Sequence, residues 1–122
     1  RNLDEQGRNQ ARNLGKLLKN SEIPFDQVYS SQWCRCLETA ELLNLGPVIE
    51  EPGLNSFFQE IVNQEETLKR LRGKMKEIQT AGERVIMVTH YVTISAITGK
   101  AVSSGGGVVY DIDSGKSVEI DF

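Results

Sequence analysis

Histidine is nearly missing from this chain: His90 is the only one in 122 residues, beside two cysteines, three prolines and one tryptophan. One histidine and a lone Cys-x-Cys pair, Cys34 and Cys36, fall short of the usual zinc or transition-metal ligand sets, so no metal is expected. On a helix that spacing turns the two thiols to nearly opposite faces, which argues against a bridge between them. Free thiols are the expectation, with a bridge to a cysteine outside residues 1–122 left open. No apolar run approaches the ~20 residues that span a bilayer. Charge of one sign is also scarce: the net charge is −3, with acids and bases interspersed. That gives no bulk field for nucleic acid or an anionic membrane, so any anion binding must be local, made by a few residues.

What remains is the composition of a folded domain, 39% hydrophobic and 25% charged, at a length that suits one packed core. Asp4 caps a first helix whose Gly7, Ala11, Leu14 and Leu18 fall on one face, with Gly7 and Gly15 permitting close packing. "DQVYSS" (26–31) reads as a short strand, and a second helix follows from about Gln32 to Leu45. Its inner face holds Cys36, Leu37, Ala40 and Leu43, and Gly46-Pro47 stop it. "PVIEE" (47–51) reads as a brief strand. The stretch 52–62 is irregular, and its Phe57-Phe58 pair is assigned to the core in preference to a lid. Asn63 with Glu66 resembles a capping box opening a helix with a Leu68, Leu71, Met75, Ile78 stripe. Its basic residues are read as a solvated face, since acids are interspersed and aromatics absent.

"RVIMVTH" (84–90) is a continuous apolar run, the pattern of a strand buried on both faces. A short helix to Gly99 follows, then "GVVYDI" (107–112) and "SVEIDF" (117–122) about a "DSGK" hairpin turn. Gly105-Gly106-Gly107 precedes a strand rather than a helix and is read as a turn, not a phosphate loop. Strands alternating with helices predict a mostly parallel sheet between helical layers, ending in an antiparallel edge. Sites in such sheets form beyond the C-terminal strand ends. Two polar segments fall there: "VYSSQWCRC", carrying Arg35, and "VTH", ending at His90. An arginine fork and an imidazole meeting at a helix N-terminus make a phosphate pocket.

The segments "LDEQGRNQA" (3–11), "VYSSQWCRCLETA" (28–40), "VIMVTHYVTISAITG" (85–99) and "GGGVVYDID" (106–113) together resemble the histidine phosphatase superfamily, the phosphoglycerate-mutase-like group. The wording is nearest its small bacterial members, including lipopolysaccharide core heptose-phosphate phosphatases, and "SSxxxRxxxTA" is the most specific block. The resemblance implies that Arg35 grips the transferred phosphoryl group. It implies that His90 hydrogen-bonds its oxygens and stabilises transition-state charge, and that Tyr91 offers its backbone N–H. Ser30 and Ser31 are read as structural. The family's first motif, Arg-His-Gly or Arg-His-Ala after an initial strand, is absent from these residues, and with it the nucleophilic histidine and a second arginine. Ser56 stands where many members carry the general-acid glutamate, and Glu60 is near but unmatched.

The expected fold is therefore a three-layer α/β/α sandwich of the histidine-phosphatase type. It is a single domain over 1–122, N-terminally incomplete, whose first strand would lie next to the strands at 28–31 and 85–89. The expected activity is phosphomonoester hydrolysis through a phosphohistidine, without metal or cofactor, on a phosphorylated small molecule or saccharide. The alternative is a non-catalytic relative that binds phosphorylated ligands or a partner. Mutase activity is disfavoured, because there is no room for the insertions that shape a mutase pocket. The cysteine pair and the subgroup resemblance lean toward export, though a cytoplasmic protein would look the same.

Overall fold

Local sequence accounts for each element of the computed structural model, which describes residues 3–57, 61–103 and 105–120. The order is α1 (Glu5–Asn20), β1 (Gln27–Ser30), α2 (Cys34–Leu43), β2 (Val48–Glu50), a 3-10 turn (Pro52–Leu54), α3 (Ile61–Ala81), β3 (Val85–Val88), α4 (Tyr91–Thr98), β4 (Gly107–Tyr110) and β5 (Ser117–Ile120). Asp4 caps α1, its carboxylate accepting from Gly7 N–H at 2.7 Å. α2 stops at Asn44, which adopts the left-handed conformation (φ 55°) two residues before Gly46, as asparagine can. α3 begins at Ile61, so Asn63 lies inside the helix and the Asn63–Glu66 capping box is not its start. Phe57 is buried, as expected of a core anchor. Phe58 and Glu60 lie outside the described residues.

β1 is the middle strand of a parallel sheet ordered β2-β1-β3. The pairing Gln27↔Val85 through Ser30↔Val88 joins β1 directly to β3. This corrects the expectation that a further strand would lie next to both 28–31 and 85–89: β1 is already flanked by β2 and β3, which pair with it directly. All four residues of β3 are half-buried rather than enclosed on both faces, and no strand covers its far edge among the described residues. The antiparallel pair β4–β5 stands as its own two-stranded sheet.

Strand alternation sorts the side chains between two faces. Tyr29 joins Leu54, Leu71 and Ile78 in a core cluster, with Met75, Val85, Met87 and Ile97 packed against it, so this face is covered by α3 and α4. Val28 and Ser30, of opposite parity, are buried toward α2, whose Cys36, Ala40 and Leu43 are buried in turn. α1 packs on α2 through Gly15, where any Cβ would run into the backbone carbonyl of Leu43. Arg8 Nε binds Glu38 at 3.1 Å across the same helix pair. That hydrogen bond is the main reason the Glu38 carboxyl is held below its ordinary range.

A buried carboxylate pins the 3-10 turn. Glu51 Oε2 accepts from Gly53 N–H at 2.7 Å and from Arg70 Nε at 2.8 Å, while Glu51 N–H donates to Ser30 O at 2.8 Å. Arg70→Ala leaves that carboxylate with only the Gly53 amide from this set. The expected loss is about 1–2 kcal/mol in urea unfolding, modest because the Arg70 end is exposed.

Candidate active site

Because the three strands run parallel in register, their C-terminal ends meet at one edge, and that edge collects the polar groups. Ser31 N–H donates to Val88 O at 2.9 Å, carrying the ladder one residue past β1. This sets Ser31 beside the chain where β3 gives way to His90. His90 is the N-cap residue of α4, its carbonyl accepting from Thr93 and Ile94 at 3.0 and 3.2 Å. The side chain takes no part in the cap and turns instead toward β1 and α2.

There His90 Nε2 meets Ser31 Oγ at 3.0 Å and Cys36 Sγ at 3.7 Å, and the ring packs edge-on against Trp33 with centroids 4.8 Å apart. Ser31 is fully buried. Its hydroxyl reaches Asn55 Oδ1 at 3.1 Å, and that oxygen also accepts from Gln32 N–H at 2.8 Å. Thr89 Oγ1 donates to Leu54 O at 2.6 Å, fastening the end of β3 to the 3-10 turn that carries Asn55. Cys36 and Cys34 are both free, the first buried and the second exposed. Burial pushes the Cys36 thiol upward, against smaller effects of Ser31 and Arg35, so this sulfur is a protonated neighbour rather than a nucleophile.

Arg35 lies in the first turn of α2, exposed at the same edge. Its carbonyl accepts from Thr39 Oγ1 at 2.9 Å, while among the described residues its guanidinium makes no hydrogen bond or ion pair, yet it is near enough to act on His90. Burial lowers the His90 imidazole below its usual range, and the Arg35 charge lowers it further. The sign follows: with the folded value depressed, His90 favours the folded state above the ordinary imidazole value of about 6.5 and loses that contribution as pH falls through the folded value. His90→Asn is expected to flatten the acid side of the pH–stability profile over that window, read by urea unfolding at stepped pH. Tyr91, the third residue expected here, opens α4 at its N-terminal end.

The structure thus brings Arg35, His90 and Tyr91 to one edge, and adds Ser31, Trp33, Cys36 and Asn55. Ser31 was assigned a structural role from sequence, and Asn55 and Trp33 were not singled out. Beside this edge runs an open groove of about 510 Å³ lined by Trp33, Pro52, Asn55, Ser56, Glu66, Thr67 and Arg70. A second hollow is lined by α3 residues alone and touches none of these groups. Among the described residues no cluster of three metal-ligating side chains occurs. No described helix is long and apolar enough to cross a membrane.

An exposed guanidinium and a half-buried imidazole at the C-terminal edge of a parallel sheet can hold a tetrahedral oxyanion. Comparison with known proteins bears on that chemistry. Residues 1–58, just under half of the chain, match the model of the histidine phosphatase superfamily, branch 1. No protein of curated function matches by sequence. Among solved structures, the protein histidine phosphatase SixA complexed with tungstate superposes with a TM-score of 0.69 at 15% identity, over 98% of this chain and 81% of that one. A candidate alpha-ribazole-5′-P phosphatase from Escherichia coli K-12 gives 0.67 at 18% identity, over 98% and 82%. A phosphoglycerate mutase from Plasmodium falciparum gives 0.55 at 20%, over 97% and 83%. The family-model match is confined to residues 1–58, and the likeness to these solved structures, which extends over nearly the whole chain, is one of fold.

Proposed function

We propose that this chain belongs to a phosphomonoesterase of the histidine phosphatase type, and that the edge around Arg35 and His90 is its phosphoryl pocket. The observation that carries the reading is the pairing of those two side chains at the C-terminal strand ends. They come from the first turn of α2 and the N-cap of α4, and the Arg35 charge adds to burial in disfavouring a protonated His90. The Arg35 charge beside the ring disfavours a second cation in the empty site, and a bound dianion would remove that penalty and let the imidazole take its proton. Arg35 presents its planar fork to two oxygens, His90 donates to a third, and the Tyr91 amide lies at the positive end of α4.

In this reading His90 stabilises charge and is not the nucleophile, and a phosphohistidine would form on a second histidine in an Arg-His motif. The 122 residues hold no second histidine. The second reading is a relative that binds phosphorylated ligands without hydrolysing them. The substrate class, a phosphorylated small molecule or saccharide, fits the groove at Trp33 and Arg70, which offers an aromatic face and polar groups beside the pocket. Hydrolysis of an aryl phosphate, with intact-mass and N-terminal sequencing of the same sample, separates the two readings. Turnover by protein containing an Arg-His segment supports the phosphatase. Tungstate binding by calorimetry without turnover favours the binding relative, and neither binding nor turnover rejects both.

A further inference from the structure

Ser31 has one proton to give and two lone pairs to receive with, and its neighbours decide how they are used. Gln32 Nε2 lies 3.4 Å from the Glu50 carboxylate, which can only accept, so Gln32 Oε1 faces the other way. That oxygen lies 2.9 Å from Asn55 Nδ2. The backbone N–H of Gln32 independently fixes the Asn55 amide, because it must meet an acceptor, and the atom at 2.8 Å is Oδ1. With Oδ1 also 3.1 Å from Ser31 Oγ, two acceptors would face each other unless the hydroxyl proton lies between them. The Trp33 N–H takes one Ser31 lone pair at 3.3 Å, leaving the other for His90 Nε2 at 3.0 Å. A lone pair there can bind only a protonated nitrogen.

We infer that Asn55 and Ser31 are positioning residues that hold neutral His90 as its Nε2–H tautomer, leaving Nδ1 as the nitrogen that gains a proton. The polarity runs in one direction, from Glu50 through Gln32 and Asn55 to Ser31 and the ring. It works without a ligand. The anchoring is rigid where it matters: Ser31 is buried on the ladder, and Asn55 N–H donates to Pro52 O at 3.1 Å. Cys36 Sγ, at 3.7 Å from Nε2, is a weak donor and a weak acceptor and does not reverse the order. If the phosphoryl pocket is as proposed, Nδ1–H of the imidazolium is the donor to phosphate, and Asn55 acts on binding through two intervening groups. That last consequence rests on the functional reading; the tautomer does not.

In protein labelled with ¹⁵N-histidine, the His90 ring nitrogens are identified as the signals that a His90→Asn variant loses, and their tautomer is read directly from long-range ¹H–¹⁵N correlations. At about pH 8.5, two units above the ordinary imidazole value, Nε2 is expected to be pyrrole-like and Nδ1 pyridine-like. A pyrrole-like Nδ1 in the wild-type protein overturns the inference without involving any variant or ligand. Asn55→Leu removes the acceptor and frees the hydroxyl proton for Nε2, so its Nδ1 resonance is expected to shift toward the pyrrole-like position. Asn55→Asp, which keeps an acceptor, is expected to restore the wild-type pattern. An Asn55→Leu protein with native amide shifts and an unchanged tautomer removes Asn55 from the role. A missing tungstate response with the expected tautomer would instead tell against the functional reading alone.

Discussion

Arg35→Ala is expected to lower phosphomonoesterase activity of the full-length protein by about 10²–10⁴-fold, the range for loss of a charged donor to a transferring phosphoryl group. The side chain is exposed and makes no hydrogen bond among the described residues, so its removal is expected to leave stability within ~0.5 kcal/mol of wild type. Activity and folding therefore separate cleanly at this position. His90→Ala should cost about 10²–10³-fold by loss of one oxyanion donor. It also vacates space between Ser31, Trp33 and Cys36, so the conservative His90→Asn is the cleaner kinetic control. Steady-state kinetics on an aryl phosphate, with far-UV circular dichroism to establish folding, checks both. Near-normal turnover in either variant would remove that residue from the mechanism.

The second large effect is on the fold. Gly15→Val is expected to destabilise the protein by ~3 kcal/mol or more, at the upper end of ordinary overpacking. The reason is specific: a Cβ at position 15 has the carbonyl carbon of Leu43 within 2.7 Å and its Cα within 2.8 Å, both backbone atoms that cannot rotate away. α1 must lift from α2, which exposes Ala11 and Leu43, both buried at present. Gly73→Ala, where a Cβ meets nothing within 4 Å, is the matched control and is expected to be neutral or slightly stabilising. Equal unfolding midpoints for Gly15→Val and Gly73→Ala would contradict the packing described for α1 and α2.

These residues also show what could be read without coordinates. His90 stood out because it is the only histidine among these residues and ends an apolar run; the helix after it is itself rich in β-branched residues, and its short length and closing Gly99 marked it instead. Gly15 falls on the inner face of a periodic helix, and periodicity is the most robust local signal. Arg35 gained its meaning from the motif around it rather than from its own surroundings. Asn55, by contrast, lies in a stretch with no period. Its partners Ser31 and Gln32 are 24 and 23 residues away in sequence, and His90 is 59 from Ser31. Such contacts exist only once β1 and β3 are in register, so nothing local announces them. The direct pairing of β1 with β3 was misjudged for a related reason: alternation gives strands, but not which neighbours they choose.

Helix ends followed the same division. Asp4 worked as a cap because its carboxylate has one nearby set of amides to serve. The Asn63–Glu66 spacing suggested a second cap, but α3 already starts at Ile61, which leaves Asn63 inside the helix. Asn44 ended α2 ahead of the glycine that seemed the natural stop, since a left-handed asparagine closes a helix nearly as well.

The measurement that bears most directly on the phosphoryl pocket is an orthophosphate titration of the ¹⁵N-histidine-labelled protein, following the two His90 ring nitrogens. Burial, and beside it the Arg35 charge, hold the imidazole low, so a dianion bound between the two side chains should reverse the shift. The account predicts that saturating phosphate raises the pH at which Nδ1 takes its proton, and that Arg35→Ala weakens phosphate binding at least tenfold, about 1.4 kcal/mol. His90 resonances and titration that stay unchanged at saturating phosphate would mean that this edge does not bind phosphate.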